Sequence, residues 1–214
     1  MFSIFVYLFS AVIALWTGRY FFTIWKKNQY DPYWEFSMFF SILGIAFLIY
    51  PTFLIISDFA GVLGDSLVLF AFAFVLRAFV RFQDLPLSPS VVTTVVNVIS
   101  GMFFTLALYF PGKPVMDNWL IYWHYPLQNS ATFGAILFCS TLAAAFTLLS
   151  NIRNIQKHKK PMLFLGLAFL IGGSSGVVIH NFNTFGFLFF GYSLLLITFV
   201  FTALFVVTSS HKNE

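Results

Sequence analysis

Residues 186–208 read GFLFFGYSLLLITFVFTALFVVT, an apolar stretch that contains no charged side chain. A helix of about 20 mostly apolar residues is long enough to cross the hydrocarbon core of a bilayer. This stretch therefore predicts a transmembrane helix. The rest of the chain decides whether it is a single anchor or one helix of a bundle.

The whole chain has the same apolar character. Of its 214 residues, 60% are hydrophobic and 8% are charged, whereas a soluble domain carries about 25% charged residues. Too little polar surface remains to cover a water-soluble globule. We therefore expect a single all-α domain over residues 1–214, in a multi-pass protein of the cell membrane. Seven stretches meet the length criterion: Phe2–Phe22, Trp34–Ile56, Leu63–Phe82, Val91–Phe110, Ala131–Ser150, Met162–His180 and Gly186–Thr208.

The basic residues predict the orientation of this bundle. If the seven helices alternate in direction, ten of the 11 Lys and Arg residues fall on one side of the membrane and Lys113 falls on the other. The side rich in Lys and Arg is normally cytoplasmic. We therefore expect the N-terminus outside and the C-terminus in the cytoplasm. The ten residues are Arg19, Lys26, Lys27, Arg77, Arg81, Arg153, Lys157, Lys159, Lys160 and Lys212.

The longest predicted connection on the outer side is Gly112–Ser130, GKPVMDNWLIYWHYPLQNS. Its aromatic residues Trp119, Tyr122, Trp123 and Tyr125 favour a segment that lies in the membrane interface, where amphipathic rings are enriched. The alternative is a lid over a cavity that opens outward.

A short internal similarity suggests a duplicated unit. Residues 43–49 read LGIAFLI and residues 165–171 read LGLAFLI, so six of seven positions agree. Both segments run from inside to outside in the predicted topology. They would fit two three-helix units joined by the fourth helix, a 3+1+3 layout, and parallel repeats of this kind occur in membrane transporters.

The segment 19–27, RYFFTIWKK, is a basic and aromatic exit from the first predicted helix. Together with the topology and the 3+1+3 layout, it resembles the membrane regions of bacterial seven-helix sensors, within a wider grouping that includes opsins and sugar-exporter-like transporters. The resemblance covers the whole chain but lies in architecture. The chain departs from opsins because its seventh helix has no Lys for retinal, and it lacks the Pro-Gln pair of many small sugar-exporter-like proteins.

The resemblance implies a receptor or sensor that binds a small ligand. We expect no kinase or cyclase domain after the seventh helix, and therefore a separate membrane or cytoplasmic output protein as the partner, besides the lipid bilayer itself. A small-solute transporter on the same repeat is the alternative. We expect no nucleic-acid partner, no cofactor, no bound metal and no enzymatic activity.

One motif predicts chemistry more directly. Gly173, Ser175 and Gly176 match the short nucleophile motif of rhomboid-type intramembrane serine proteases, a distant third hypothesis. Such a serine needs a general base within reach, and His180 lies about 140° around the same helix from Ser175. The spacing of Ala168, Gly172 and Gly176 favours instead a seam of small residues that lets another helix approach closely.

Polar residues near the outer ends of the helices are the candidates for ligand binding. They converge at one level, where a few polar groups beside apolar walls are typical of a binding cavity. Asp65 is expected near the N-terminus of the third helix, where the helix dipole favours a negative charge. The alternative is that these residues only anchor helix ends in the headgroup region. The candidates are Asp58, Asp65, Trp123, His124, His180 and Asn181.

A second polar cluster is predicted near the cytoplasmic side. Arg77 lies inside the end of the third helix, and a partly buried cation either extends to the lipid phosphates or has a partner. Glu35 is the expected counter-charge. Asn97 and Thr202 are expected at a similar depth.

Overall fold

The computed structural model describes residues 1–52, 59–82, 86–117, 119–150, 152 and 159–210. Seven long helices and one short hairpin make up this part of the chain. Their bounds are α1 Phe2–Asn28, α2 Asp31–Ile49, α3 Phe59–Phe82, α4 Pro89–Tyr109, β1 Lys113–Asp117, β2 Leu120–His124, α5 Leu127–Ser150, α6 Lys159–Asn181 and α7 Phe185–Ser210, with a 3₁₀ turn over Tyr50–Thr52.

The seven helices are long and apolar enough to cross a membrane, as the sequence predicts. Their starts show why the predicted boundaries are approximate. Pro32 stands in the first turn of α2 and Pro89 begins α4, which suits a residue whose fixed φ is compatible with a helix start. The sequence predicts one helix over Trp34–Ile56, but α2 ends at Ile49 and residues 53–58 lie outside the described part.

Six of the helices form a closed ring in the order α1, α2, α3, α5, α6, α7. Aromatic side chains line the inside of the ring and connect its opposite sides. For example, the ring of Phe39 in α2 lies 5.6 Å from that of Phe169 in α6, and Phe47 meets Phe199 of α7 at 5.3 Å. Helix α4 packs outside the ring against α3 and α5. Only 11% of the residues in its most apolar stretch are buried, against 44% to 61% in the other six helices.

The connection between α4 and α5 is an antiparallel hairpin in which Val115 pairs with Tyr122. Strand β2 is buried at the end of the ring, and Ile121 and Trp123 are almost inaccessible. The backbone N–H of Ile121 donates to Ser3 Oγ at 2.8 Å, and its carbonyl accepts from the Tyr192 hydroxyl at 2.7 Å. The prediction of a segment lying on the membrane surface is therefore wrong for β2, because its backbone and aromatic side chains are satisfied inside the bundle.

The bundle has two ends, the hairpin end and the basic end. The hairpin end carries the hairpin, the 3₁₀ turn and the α6–α7 connection. The basic end carries the last turn of α1, with Lys26 and Lys27, and the start of α6, with Lys159 and Lys160.

Small residues let α6 approach both of its neighbours. A Cβ on Gly172 would lie 3.1 Å from Thr198 Cγ2 in α7, and a Cβ on Gly176 would overlap the side chain of Leu137 in α5. Gly173, which is not part of the predicted seam, is packed even more tightly. A Cβ there would lie 2.8 Å from the Cβ of Thr141 in α5 and would overlap its hydroxyl.

We predict that Gly173→Ala destabilises the bundle by about 1–3 kcal/mol, the range of overpacking in a close-packed core. Thr141 has little freedom to move away, because its hydroxyl donates to the Leu137 carbonyl of its own helix at 2.8 Å. The measurement is the midpoint of thermal unfolding of the purified protein in detergent.

The matched control is Gly101→Ala in α4, where the added methyl group would face open space. This change should be neutral or stabilise the helix by about 0.5–1 kcal/mol. Equal unfolding midpoints for Gly173→Ala and Gly101→Ala would show that the α5–α6 contact is looser than described.

Candidate ligand cavity

A cavity of about 90 Å³ lies inside the ring of helices. Helices α1 to α3 and α5 to α7 all contribute to its wall. The cavity is smaller than the sites of drug-sized ligands, but its wall has their character, mostly apolar with a few placed polar groups. The apolar wall is dominated by phenylalanines: Phe39, Phe40, Phe47, Phe72, Phe133, Phe169 and Phe199. The polar side chains on the wall are Tyr7, Tyr50, Thr141, Ser175, His180, Thr198 and Thr202.

A buried carboxylate stands behind the cavity at the hairpin end. Asp65 is 0% exposed, and its Oδ1 accepts a hydrogen bond from the Tyr50 hydroxyl. The same oxygen lies 3.1 Å from Nε2 of His180. The prediction of Asp65 as a dipole-stabilised residue at a helix end is therefore wrong. Helix α3 begins at Phe59, so Asp65 lies past its first turn and is stabilised by side chains of other elements.

The second ring nitrogen of His180 determines where its protons lie. Nδ1 is 2.9 Å from the Gly176 carbonyl oxygen, and a carbonyl can only accept, so Nδ1 carries a hydrogen. Nε2 then has two options. Either it also carries a hydrogen and donates to an ionised Asp65, or it accepts one from a protonated Asp65. The Asp65–His180 pair is electrically neutral in both forms.

Aromatic side chains enclose this pair. The Tyr125 ring stacks on His180 with centroids 5.2 Å apart, and Phe133 lies on His180 at 4.1 Å. Burial, followed by the negative charge of Asp65, raises the pKa of the Tyr125 phenol well above its ordinary value. Tyr125 therefore remains a neutral phenol at physiological pH.

Two further tyrosines connect the cavity to the hairpin. The hydroxyl groups of Tyr7 and Tyr192 are 3.0 Å apart in a fully buried position, and Tyr192 donates to the Ile121 carbonyl of β2. Tyr7 also stacks on Tyr50 with centroids 4.8 Å apart. The four tyrosines of this end, which sequence reasoning misses or assigns to the interface, thus join α1, α7, the 3₁₀ turn and the hairpin around Asp65.

The structure separates the six predicted ligand residues. It brings together Asp65 and His180, and Trp123 packs nearby against Tyr50 with centroids 5.4 Å apart. His124 is exposed and pairs across the hairpin with Lys113. Asn181 donates to the Val177 carbonyl of its own helix. Asp58 lies outside the described residues.

The polar cluster at the basic end contains the predicted ion pair and a larger network. Arg77 Nε lies 3.0 Å from Glu35 Oε2, so this cation has a partner within the bundle. Arg81 Nε approaches the other Glu35 oxygen at 3.4 Å and also pairs with Asp31. Glu35 is only 1% exposed. Two carboxylates and two guanidinium groups thus join α2 to α3.

Asn97 and Thr202 do not belong to this network. Asn97 is exposed on α4, which lies outside the ring. Thr202 is buried, but its hydroxyl donates to the Thr198 carbonyl of its own helix at 2.9 Å, and the residue borders the cavity. A similar predicted depth in the membrane does not specify the side of the helix on which each residue lies.

The serine-protease hypothesis requires contact between Ser175 and a base. Among the described residues, the buried Ser175 hydroxyl has no hydrogen-bond partner. Both nitrogens of His180 instead face Gly176 and Asp65. The nucleophile–base contact on which this chemistry depends is therefore not formed by these two residues.

We predict that Asp65 and His180 stabilise the fold as a coupled pair. Asp65→Asn and His180→Gln should each destabilise the protein, and their double variant should deviate from additivity by about 0.5–3 kcal/mol, as residues of one hydrogen-bond network do. The measurement is a double-mutant cycle on the free energy of unfolding in mixed detergent micelles.

Asp65→Asn combined with Glu35→Gln provides the control, because these residues lie at opposite ends of the bundle. Their effects should add to within about 0.3–0.5 kcal/mol. Additive effects in the Asp65–His180 cycle would contradict the coupling.

The cavity thus has a phenylalanine-rich body and a polar end at which a neutral Asp65–His180 pair lies behind Tyr50. The hairpin covers this end. Comparison with models of known protein families, with curated protein sequences and with solved structures finds no match to this chain.

Proposed function

We propose that the protein is a receptor of the cell membrane that binds a small molecule inside the helical ring and signals to a separate output protein. The observation that carries this proposal is the cavity itself, bordered by six helices and by polar side chains at its hairpin end. A monomeric bundle without a ligand gains dispersion energy by packing its interior closely. An internal space with an apolar wall and a few polar groups therefore favours a binding site for a small molecule over a purely structural bundle.

The contacts around the cavity favour a way of passing the signal on. Helix α2 is joined to α3 at both ends, by Glu35 with Arg77 and by Tyr50 with Asp65. Within the described residues, the polar side-chain pair that joins α6 to α3 is His180 with Asp65, at the hairpin end. A ligand that presses on Phe169 would then displace the basic end of α6 more readily than its hairpin end, and an output protein would bind on that side.

The proposed orientation places the hairpin outside and the basic end in the cytoplasm. The alternating helices separate Lys113 on the hairpin from Lys26, Lys27, Lys159 and Lys160 at the basic end. This distribution supports the orientation through the preference of Lys and Arg for the cytoplasmic side.

We predict that an impermeant maleimide applied to intact cells labels Lys113→Cys but not Lys27→Cys. Both residues are exposed in the structure, so only the membrane distinguishes them. The native Cys139 is exposed on α5, and both variants should therefore be made in a Cys139→Ala background. Labelling of Lys27→Cys alone would reverse the orientation, and labelling of both after permeabilisation confirms that each site reacts.

The transporter alternative has less support from the geometry. A transporter must open its site to each side in turn, whereas β2 is hydrogen-bonded across the hairpin end. The internal similarity also falls at two depths. In the two similar segments, Phe169 corresponds to Phe47. The ring of Phe169 nevertheless contacts Phe39, which lies about two turns, or about 12 Å, before Phe47 along α2. The duplication stays a prediction.

We predict that a small molecule co-purifies with the protein and is lost when the cavity is filled. Ala168 is buried and borders the cavity, so Ala168→Phe should occupy the space that the ligand needs. Extraction of the purified protein after exchange into fresh detergent, followed by mass spectrometry, should find this molecule with the wild type and not with the variant.

Leu170→Phe is the control, because it places the same side chain on the exposed side of α6 and should keep the ligand. Ala168→Leu fills less volume and serves if the Phe variant does not fold. A wild-type extract indistinguishable from that of Ala168→Phe would contradict the receptor proposal.

A further inference from the structure

Among the described residues on the wall of the cavity, Ser175 is the one polar side chain without a hydrogen-bond partner. Thr141, Thr198 and Thr202 donate to carbonyls of their own helices. An unpaired buried hydroxyl is costly, so its place on a cavity wall indicates a ligand group that would complete it.

In the part of the chain that the structure describes, the charged groups at the two ends of the cavity are paired with one another. Among the described residues, Asp65 is the carboxylate nearest to the polar end, and its Oδ1 lies 3.1 Å from Nε2 of His180. Tyr50 and His180 border the cavity and stand between it and Asp65. The charged groups of the other cluster, Glu35 with Arg77 and Arg81, pair with each other at the basic end.

A charged ligand would therefore meet no free counter-charge on the described wall. Moving an ion from water into an apolar site without a partner is strongly unfavourable. An uncharged molecule does not meet this cost, and its hydrocarbon body would contact the phenylalanine side chains that make up most of the wall.

We propose that the ligand is a small, uncharged amphiphile with one hydroxyl or carbonyl group, which binds Ser175, and with an apolar body that contacts Phe169 and Phe199. This inference rests on the proposed receptor function and adds the chemical class of its ligand. The hydroxyl of Ser175 can donate to a carbonyl or exchange hydrogen bonds with an alcohol. The phenol groups of Tyr7 and Tyr50 close the same end of the cavity.

The test uses three photoreactive probes that share one eight-carbon chain with a diazirine and differ in the head group: an alcohol, an ammonium and a carboxylate. The intact protein is labelled in phosphatidylcholine nanodiscs, and the labelled residues are identified by mass spectrometry. The yield at Phe169 and Phe199 is divided by the yield at the exposed Leu163 and Leu170 of α6, which corrects for partitioning of each probe into lipid.

The alcohol should label the cavity wall with a higher corrected yield than either charged probe. Ser175→Ala should lower the yield of the alcohol about two- to tenfold, the effect of losing one hydrogen bond. The control is the adjacent Ser174→Ala, because the Ser174 hydroxyl already donates to the Leu170 carbonyl at 3.0 Å. Ser175→Cys keeps the size of the side chain but is a weaker donor, and it replaces the Ala variant if that variant does not fold.

The outcomes separate the two proposals. Equal labelling of the wall by the charged probes, or unchanged labelling of Ser175→Ala, would overturn the ligand class while the cavity remains a binding site. If none of the three probes labels the wall above its lipid-facing reference, both the ligand class and the receptor proposal are contradicted.

Discussion

The burial of Asp65 is the constraint on which the hairpin end of the structure depends. A carboxylate removed from water inside an apolar bundle must be protonated, paired or hydrogen-bonded. Tyr50 and His180 meet this requirement from the 3₁₀ turn and from α6, so three separate parts of the chain must come together around one oxygen. The same requirement explains why His180 faces inward although it lies almost at the end of its helix. Removing either partner leaves the carboxylate less well satisfied, which links the fold to the polar end of the cavity.

The backbone of the hairpin must also have its hydrogen-bonding groups satisfied. Strands at the end of a membrane bundle expose N–H and C=O groups that lipid cannot satisfy, and such backbone is tolerated where protein surrounds it. Ser3 and Tyr192 supply a hydrogen-bond acceptor and a donor to Ile121, while Trp123 packs on Tyr50. A single tyrosine, Tyr192, contacts both the hairpin and Tyr7 of α1. The cover of the cavity is thus held by the same tyrosine network that borders its polar end.

Sequence reasoning predicts the features that depend only on position along the helix axis. The number of helices long enough to span a membrane follows from apolar length, and the pair of Arg77 with Glu35 follows from the need of a buried cation for an anion at its own level. The position around a helix is harder to predict in a chain that is apolar on every face. Depth alone places Asn97 with Arg77, yet Asn97 lies on the exposed side of α4. The tyrosines escape prediction because the same amphipathic side chain is common in membrane interfaces, and only the three-dimensional arrangement shows that the four around Asp65 are buried: Tyr7, Tyr50, Tyr125 and Tyr192.

The two ends of the bundle balance their charges in different ways, and this difference fits a division of roles. At the basic end, the carboxyl groups of Asp31 and Glu35 face the guanidinium groups of Arg77 and Arg81, and the strength of such contacts depends on how well they are shielded from water. At the hairpin end, Asp65 is paired with His180 and accepts a hydrogen bond from Tyr50, so its carboxyl group brings no unpaired charge to the apolar cavity. An ionic network joins α2 firmly to α3 but offers little to an uncharged ligand. A neutral pair beside the unpaired hydroxyl of Ser175 offers hydrogen bonding without an unbalanced charge, so the region best suited to recognition is the one that the hairpin covers.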